Sequence, residues 1–314
     1  MARSKIVKRI RRDAAYIAIR LFVGSFRALP RHAALALASF FGRLAPYMFR
    51  NERRLAIEHL TIAFGEEKSP AEIAMLAHES FRYAALNFAD TVRIGIMTAD
   101  DIRAVCVPHH MERLKEAMAG GMGAIGLTSH AGCWEMLGSF IVADGVDLAV
   151  IARRLYDPRL EDMLYRSRSG AGLRVISRGR NTRDVIRALK EGCLLGVLID
   201  QDMPVRGVFV DFFGRTAHTA TGLASLALKY SVPVFPVLTY RDTEHRHHIC
   251  IGEPIPVTRT GDTDRDIAEL TALCSKATED FIREHPEQWV WFHKRWKTRP
   301  EDVAAKEKHD AADL

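Results

Sequence analysis

Apolar runs long enough to cross a bilayer are missing from the first fifty residues. The run from Ala14 to Gly24 is broken by Arg20, and that from Ala33 to Phe41 is shorter still. Neither reaches the ~18–20 uninterrupted apolar residues of a spanning helix. The basic start is not followed by a clean small-residue cleavage site, so it does not read as a signal peptide. Cysteine is sparse too: Cys106, Cys133, Cys193, Cys250 and Cys274 are odd in number and contain no CxxC pair. That argues against a disulfide framework or structural zinc and for a reducing compartment. Internal repeats and low-complexity tracts are absent, so neither a solenoid nor a disordered chain is indicated. Acidic residues are missing before Asp13, while Arg3, Lys5, Lys8, Arg9, Arg11 and Arg12 crowd the same stretch.

What is present points to a globular protein with a basic surface. The 314 residues suffice for one large domain or two, with 48% apolar and 27% charged residues, ordinary for a packed core. The formal charge of +6 suggests an anionic partner: nucleic acid, phospholipid headgroups or an acidic carrier protein. Residues 1–49 read as basic and apolar helices lying on a membrane surface, Lys and Arg on the headgroups and Phe, Leu and Tyr below them. Residues 50–120 carry helical periodicity in Leu55, Leu60, Phe64, Ile73, Phe81 and Leu86, with a break at Ser69-Pro70. Residues 121–300 form a catalytic core, and 301–314 a polar tail.

Within that core, strand-like and helix-like segments alternate: strands near 124–127, 148–151, 173–176, 194–199, 234–238 and 248–251, helices near 158–168, 182–190, 221–230 and 267–285. The expected fold class is α/β, a central, mostly parallel sheet flanked by helices. Ligands collect at the carboxyl ends of such strands, where His130, Arg153 and Asp200 fall. The stretch Gly123 to Gly138 runs from a buried strand through His130 in a small-residue turn to Glu135. On one regular helix, residues five apart sit about 140° round the axis from each other. His130 and Glu135 therefore share a site only if the histidine precedes the helix. A carboxylate on one ring nitrogen fixes the tautomer and raises the basicity of the other, giving a general base. By itself the motif is weak, since a strand-end histidine is more often structural. Cys133, between the two, reads as small buried filler rather than a nucleophile. The His245-x-His247-His248 cluster has no acidic or cysteine partner and reads as an exposed edge rather than a metal site.

Several segments in order along the chain resemble the bacterial lipid A biosynthesis acyltransferases, the late lauroyl and myristoyl transferases. They are His130-x4-Glu135; Gly196-x3-Asp200-Gln201-Asp202; Gly207-Val208-Phe209-Val210-x-Phe212-Phe213-Gly214; Pro233-Val234; and His285-Pro286-Glu287-Gln288-Trp289 through Arg299-Pro300. The resemblance covers nearly the whole chain. It departs from the family pattern at His59-Leu60, at Arg154 after Arg153, and in the short first apolar run. It implies a glycerolipid-acyltransferase-like fold and transfer of a fatty acyl group from acyl carrier protein to a hydroxyl of a lipid A precursor. The implied place is the cytoplasmic face of the bacterial inner membrane, against its anionic surface. No cofactor, metal or nucleic acid is called for. His130, held by Glu135, would take the hydroxyl proton. Arg166 or Arg168, or the N–H groups opening the Trp134 helix, would stabilise the oxyanion. Arg153 and Arg154 suit phosphates, and Asp200 an arginine or an acceptor sugar. Phe209, Phe212 and Phe213 are candidates for an acyl-chain wall, and His293 with Trp291, Lys294, Arg295 and Trp296 for an interfacial patch. The rival readings are an acyltransferase for another lipid such as a lysophospholipid, a thioester hydrolase, and a non-catalytic membrane scaffold.

Overall fold

The computed structural model describes residues 2–152, 157–177 and 182–302. Arg153, Arg154 and the tail from residue 303 lie outside the described residues. Nine strands occur among them: β1 Cys106–His109, β2 Ala124–Thr128, β3 Leu148–Ala152, β4 Arg174–Ser177, β5 Leu194–Leu198, β6 Gly207–Phe212, β7 Arg215–Ala220, β8 Val234–Arg241 and β9 His247–Ile251. The α-helices are α1 Ala2–Ala28, α2 Arg31–Met48, α3 Arg50–Phe64, α4 Pro70–Arg93, α5 Ala99–Ala104, α6 Met111–Met118, α7 Trp134–Ala143, α8 Pro158–Gly170, α9 Thr182–Lys190, α10 Gly222–Tyr230 and α11 Thr263–Glu284.

Seven strands form one sheet in the order β1-β9-β8-β2-β5-β3-β4, and β6 and β7 form a separate hairpin. Only the β8–β9 pairing in the seven-stranded sheet is antiparallel. The expected α/β architecture with a mostly parallel sheet is therefore the observed one. The central strand β2 is buried at every position, as strands covered on both faces must be. One face packs Leu148, Leu194 and Val237 against Met111 and Leu114 of α6 and Leu137, Phe140 and Ile141 of α7. The other packs Ile125, Leu127 and Leu195 against Val185 of α9, Leu223 and Ala227 of α10 and Leu270 of α11.

Helix α4 begins at the expected break. Ser69 and Glu72 cap it reciprocally, with Pro70 in the first turn. Helix α2 turns Ala34, Ala38, Gly42 and Pro46 inward. A Cβ on Gly42 would stand 2.8 Å from the Arg82 Cα, so α2 and α4 approach closely only with glycine there. The opposite side of α2 is apolar and uncovered: Phe40, Phe41, Leu44, Tyr47 and Met48 are all exposed, as are Ile17, Leu21 and Phe22 of α1. No helix among the described residues is long and apolar enough to cross a membrane.

Two expectations fail in the packing. Trp291, Arg295 and Trp296 are buried rather than interfacial, because the C-terminal segment fills an aromatic core with Phe64, Phe81, Phe212 and Phe213. His247 is likewise fully buried, its Nε2 2.9 Å from Asp90 Oδ2. The cluster is not an exposed edge, because β9 lies inside the sheet between β1 and β8.

Candidate active site

Strands β2 and β5 are parallel neighbours, with Thr128 opposite Leu198. Their next residues therefore leave the sheet side by side, His130 from one and Asp200 from the other. His130 Nδ1 lies 2.8 Å from Asp200 Oδ1, and the His130 backbone N–H donates to Asp200 Oδ2 at 2.7 Å. The Trp289 indole N–H also donates to Oδ2, at 2.8 Å. Burial alone would raise the Asp200 carboxyl. The facing His130 and these three donors instead hold it down at about 2. With Nδ1 committed to a buried carboxylate, Nε2 is the ring nitrogen left to accept a proton.

The turn after His130 is built to accept that clamp. Gly132 has φ 58°, and a Cβ there would meet the Thr239 carbonyl oxygen at 2.2 Å, so glycine is required. Its N–H donates to the Gln288 carbonyl, and Ala131 bridges Trp289. Gln288 in turn exchanges hydrogen bonds with the Arg241 backbone at 2.7 and 2.9 Å. The Glu287-Gln288-Trp289 stretch thus braces both members of the pair.

Glu135 does lie in the first turn of α7, as the small-residue corner requires, but it is not the partner of His130. Its two oxygens accept from Arg168 Nε at 3.0 Å and Nη2 at 2.5 Å. The carboxylate on His130 comes instead from the neighbouring strand. The signal was that each strand end carries one reactive residue; parallel pairing of those two strands was not readable from spacing. Of the two candidate arginines, Arg168 borders the site, held charged by Glu135 against the opposing effect of burial. Arg166 is largely exposed and pairs with Asp162. Arg153 and Arg154 fall outside the described residues.

Below His130 opens a cavity of about 780 Å³, reached past Thr128, Trp134, Glu135 and Arg168 and lined deeper by Leu137, Ile141, Leu148, Leu173 and Leu194. Phe209, Phe212 and Phe213 do not line it. Phe212 and Phe213 pack edge-on and tilted against Trp289 and Trp291 in the aromatic core, and Phe209 packs on His218 in the β6–β7 hairpin. Their separation from the cavity follows from the hairpin, which stands apart from the sheet. Cys133 is buried, within 3.5 Å of Thr91 Oγ1, and burial pushes its thiol up to about 11. At neutral pH it is neither a thiolate nor reachable.

Residues 3–298 match the family described as bacterial lipid A biosynthesis acyltransferase. The chain is 24% identical to lipid A biosynthesis acyltransferase 2 of Shigella flexneri, over 84% of this chain and 83% of that protein. It is 26% identical to the lipid A biosynthesis myristoyltransferase of Escherichia coli K12, over 82% and 79%. It is also 26% identical to the phosphatidylinositol mannoside acyltransferase of Mycobacterium tuberculosis H37Rv, over 59% and 58%.

Proposed function

Since the chain belongs to the bacterial lipid A biosynthesis acyltransferase family, we propose that it moves a fatty acyl group from acyl carrier protein to a hydroxyl of a lipid A precursor. The observation that carries this reading is the His130–Asp200 pair at the mouth of a deep apolar cavity. In the proposed reaction the thioester carbonyl sits beside His130 with its hydrocarbon chain in the cavity. His130 Nε2 takes the proton of the acceptor hydroxyl as that oxygen attacks the carbonyl carbon. Asp200 stabilises the imidazolium that forms. The tetrahedral oxyanion is met by Arg168 and by the first N–H groups of α7, which the preceding Cys133 does not cap with its side chain. Collapse expels the carrier thiolate, which recovers the proton from His130. The active base is then a His130–Asp200 pair, with Glu135 holding Arg168 in place.

The same reading places the protein on the cytoplasmic face of the inner membrane. Phe40, Leu44 and Met48 recur at helical spacing on the uncovered side of α2, with exposed Arg43, Arg50 and Arg54 nearby. Such an apolar face edged by arginines suits insertion among anionic headgroups. A second acceptor class is favoured by one finding, the mycobacterial relative that acts on phosphatidylinositol mannoside. Hydrolysis through Cys133 is disfavoured by its burial and raised pKa.

Mass spectrometry of lipids from cells lacking the protein tests the acceptor. Lipid A is expected to lose one acyl chain, and wild-type chain, not His130→Ala, is expected to restore it. Intact lipid A alongside an under-acylated phosphoglycolipid would move the assignment to the second class.

A further inference from the structure

Four glycines line the cavity: Gly126 of β2, Gly196 of β5 and Gly138 of α7, and, on the other side, Gly222 at the start of α10. Gly126 and Gly196 are direct partners across the parallel ladder. The same row continues to Phe235 on β8 and Val150 on β3. Residues in one row of a sheet share a face. Two adjacent glycines therefore leave a trough two strands wide, about 10 Å across at the usual strand spacing, bordered by Val150 of β3 and Val237 of β8, both of which line the cavity. This is the face that α7 covers, and Leu137, Gly138 and Ile141 of α7 line the cavity with them.

The space left by these side chains is not equally tight. A Cβ on Gly138 would meet Leu173 Cδ2 at 3.1 Å and Leu148 Cδ2 at 3.3 Å, and one on Gly126 would meet Val237 Cγ2 at 3.2 Å. A Cβ on Gly196 would make only ordinary contacts, 3.4 Å to Val150 Cγ1 and 3.6 Å to Leu148 Cδ1. Of the three, Gly196 is thus the position where a first side-chain carbon is added with the least displacement of its neighbours.

The depth is set by the strands. Gly126 precedes His130 by the same interval as Gly196 precedes Asp200, four residues, or roughly 13 Å of extended chain. With carbon–carbon bonds of about 1.5 Å, a zigzag hydrocarbon starting at His130 reaches that level in roughly ten carbons. Leu148, Leu173 and Leu194, whose side chains reach the Cβ positions of Gly196, Gly138 and Gly126, border its far side. We infer that the Gly126–Gly196–Gly138 gap is the length gauge of the acyl channel, admitting saturated chains longer than about ten carbons to the leucine-lined end. The inference rests on the proposed seating of the acyl chain below His130.

The test is a binding competition that needs no transfer. The full chain is mixed with saturated fatty acids of about eight to sixteen carbons, and the bound species are counted by native mass spectrometry. Wild type is expected to retain the longer acids. Gly196→Leu is expected to lose them by about tenfold or more while holding acids of roughly ten carbons or fewer within about threefold. Leu148→Ala, which opens the far end instead, is expected to extend the retained length by about two carbons, and it keeps the question open to refutation if Gly196→Leu fails to fold. An unchanged length profile in a folded Gly196→Leu, or equal loss of every length, overturns the gauge. So does an unshifted profile in Leu148→Ala when that is the variant that folds. A protein that sorts fatty acids this way yet acylates no lipid hydroxyl would refute the proposed acceptor and leave the gauge standing.

Discussion

At the scale of single residues, the geometry separates two carboxylates that lie near one histidine. Asp200→Asn keeps the shape but removes the anion that fixes Nδ1, so turnover is expected to fall by about 10³–10⁴. The His130→Ala/Asp200→Asn double variant is expected to be little worse than His130→Ala, because the two act as a unit. Single-turnover acyl transfer checks both, and additive losses would sever the pair. Glu135→Gln is expected to behave differently. It strands Arg168, which is largely buried, at a cost of roughly 1–3 kcal/mol. Adding Arg168→Met is expected to recover most of that stability without recovering activity, as thermal unfolding and rate assays together would show. Asp200 also carries a pH signature. Its folded pKa is depressed to about 2 from an ordinary value near 3.9, so its stabilising contribution is complete above about pH 4 and drains away as pH falls toward 2. The histidine was legible in the sequence as a strand-end residue before a small-residue turn. Its partner was not, because a local glutamate five residues on competes with an aspartate 70 residues away that only strand register brings near.

At the scale of elements, the N-terminal helices are fastened to the sheet by one buried charge cluster. Asp90 of α4 accepts from Arg31 of α2 at 2.9 and 2.8 Å, pairs with Arg241 of β8 at 2.8 Å, and meets His247 of β9. Burial favours a neutral Asp90, but His247, Arg31 and Arg241 overcome it and keep the carboxyl far below its usual range. Asp90→Asn leaves two guanidinium groups without their anion and is expected to destabilise the protein by about 3–5 kcal/mol in denaturant unfolding. Burial, then the Arg241 charge, lowers His247 to about 4, from about 6.5 when unfolded. The unfolded chain therefore binds the proton first. The contribution of a neutral His247 is complete above about pH 6.5 and is lost as pH falls toward 4, at most about 3 kcal/mol. A His247→Gln variant is expected to show a flatter stability profile across that window. The outer face of α2 makes the opposite kind of prediction. Phe40 and Phe41 are 58% and 48% exposed, so Phe40→Ser with Phe41→Ser should leave unfolding within about 0.5 kcal/mol of wild type. Sedimentation with anionic vesicles should nevertheless fall by about tenfold or more if this face inserts. Unaltered co-sedimentation would assign attachment to another surface.

At the scale of the whole molecule, the alternation of short apolar runs with helical periodicity made the α/β sheet readable, because buried parallel strands leave dense apolar runs between helices. Strand β1 and the β6–β7 hairpin escaped that reading. Cys106–His109 contains a proline and a histidine and has a mixed burial pattern. In the hairpin, a phenylalanine-rich strand is followed by the polar Arg215–Ala220, which is buried only by tertiary contacts. The tryptophans near the end were visible as a motif, but nothing local marks a tryptophan that packs inward from one that faces lipid. Trp289 has a further consequence, one of time. A ribosome delivers Asp200 first and Trp289 89 residues later, an interval of roughly 5–20 s at about 5–20 residues per second. Within that interval the remaining strands of the sheet that carries His130 and Asp200, β8 and β9, are completed, while the indole that steadies the carboxylate, and the Gln288 carbonyl that pins the Gly132 turn, do not yet exist. Competence therefore arrives last: the chain acquires its sheet before it acquires an aligned base, and an unfinished copy has no ordered centre with which to discharge acyl thioesters into water.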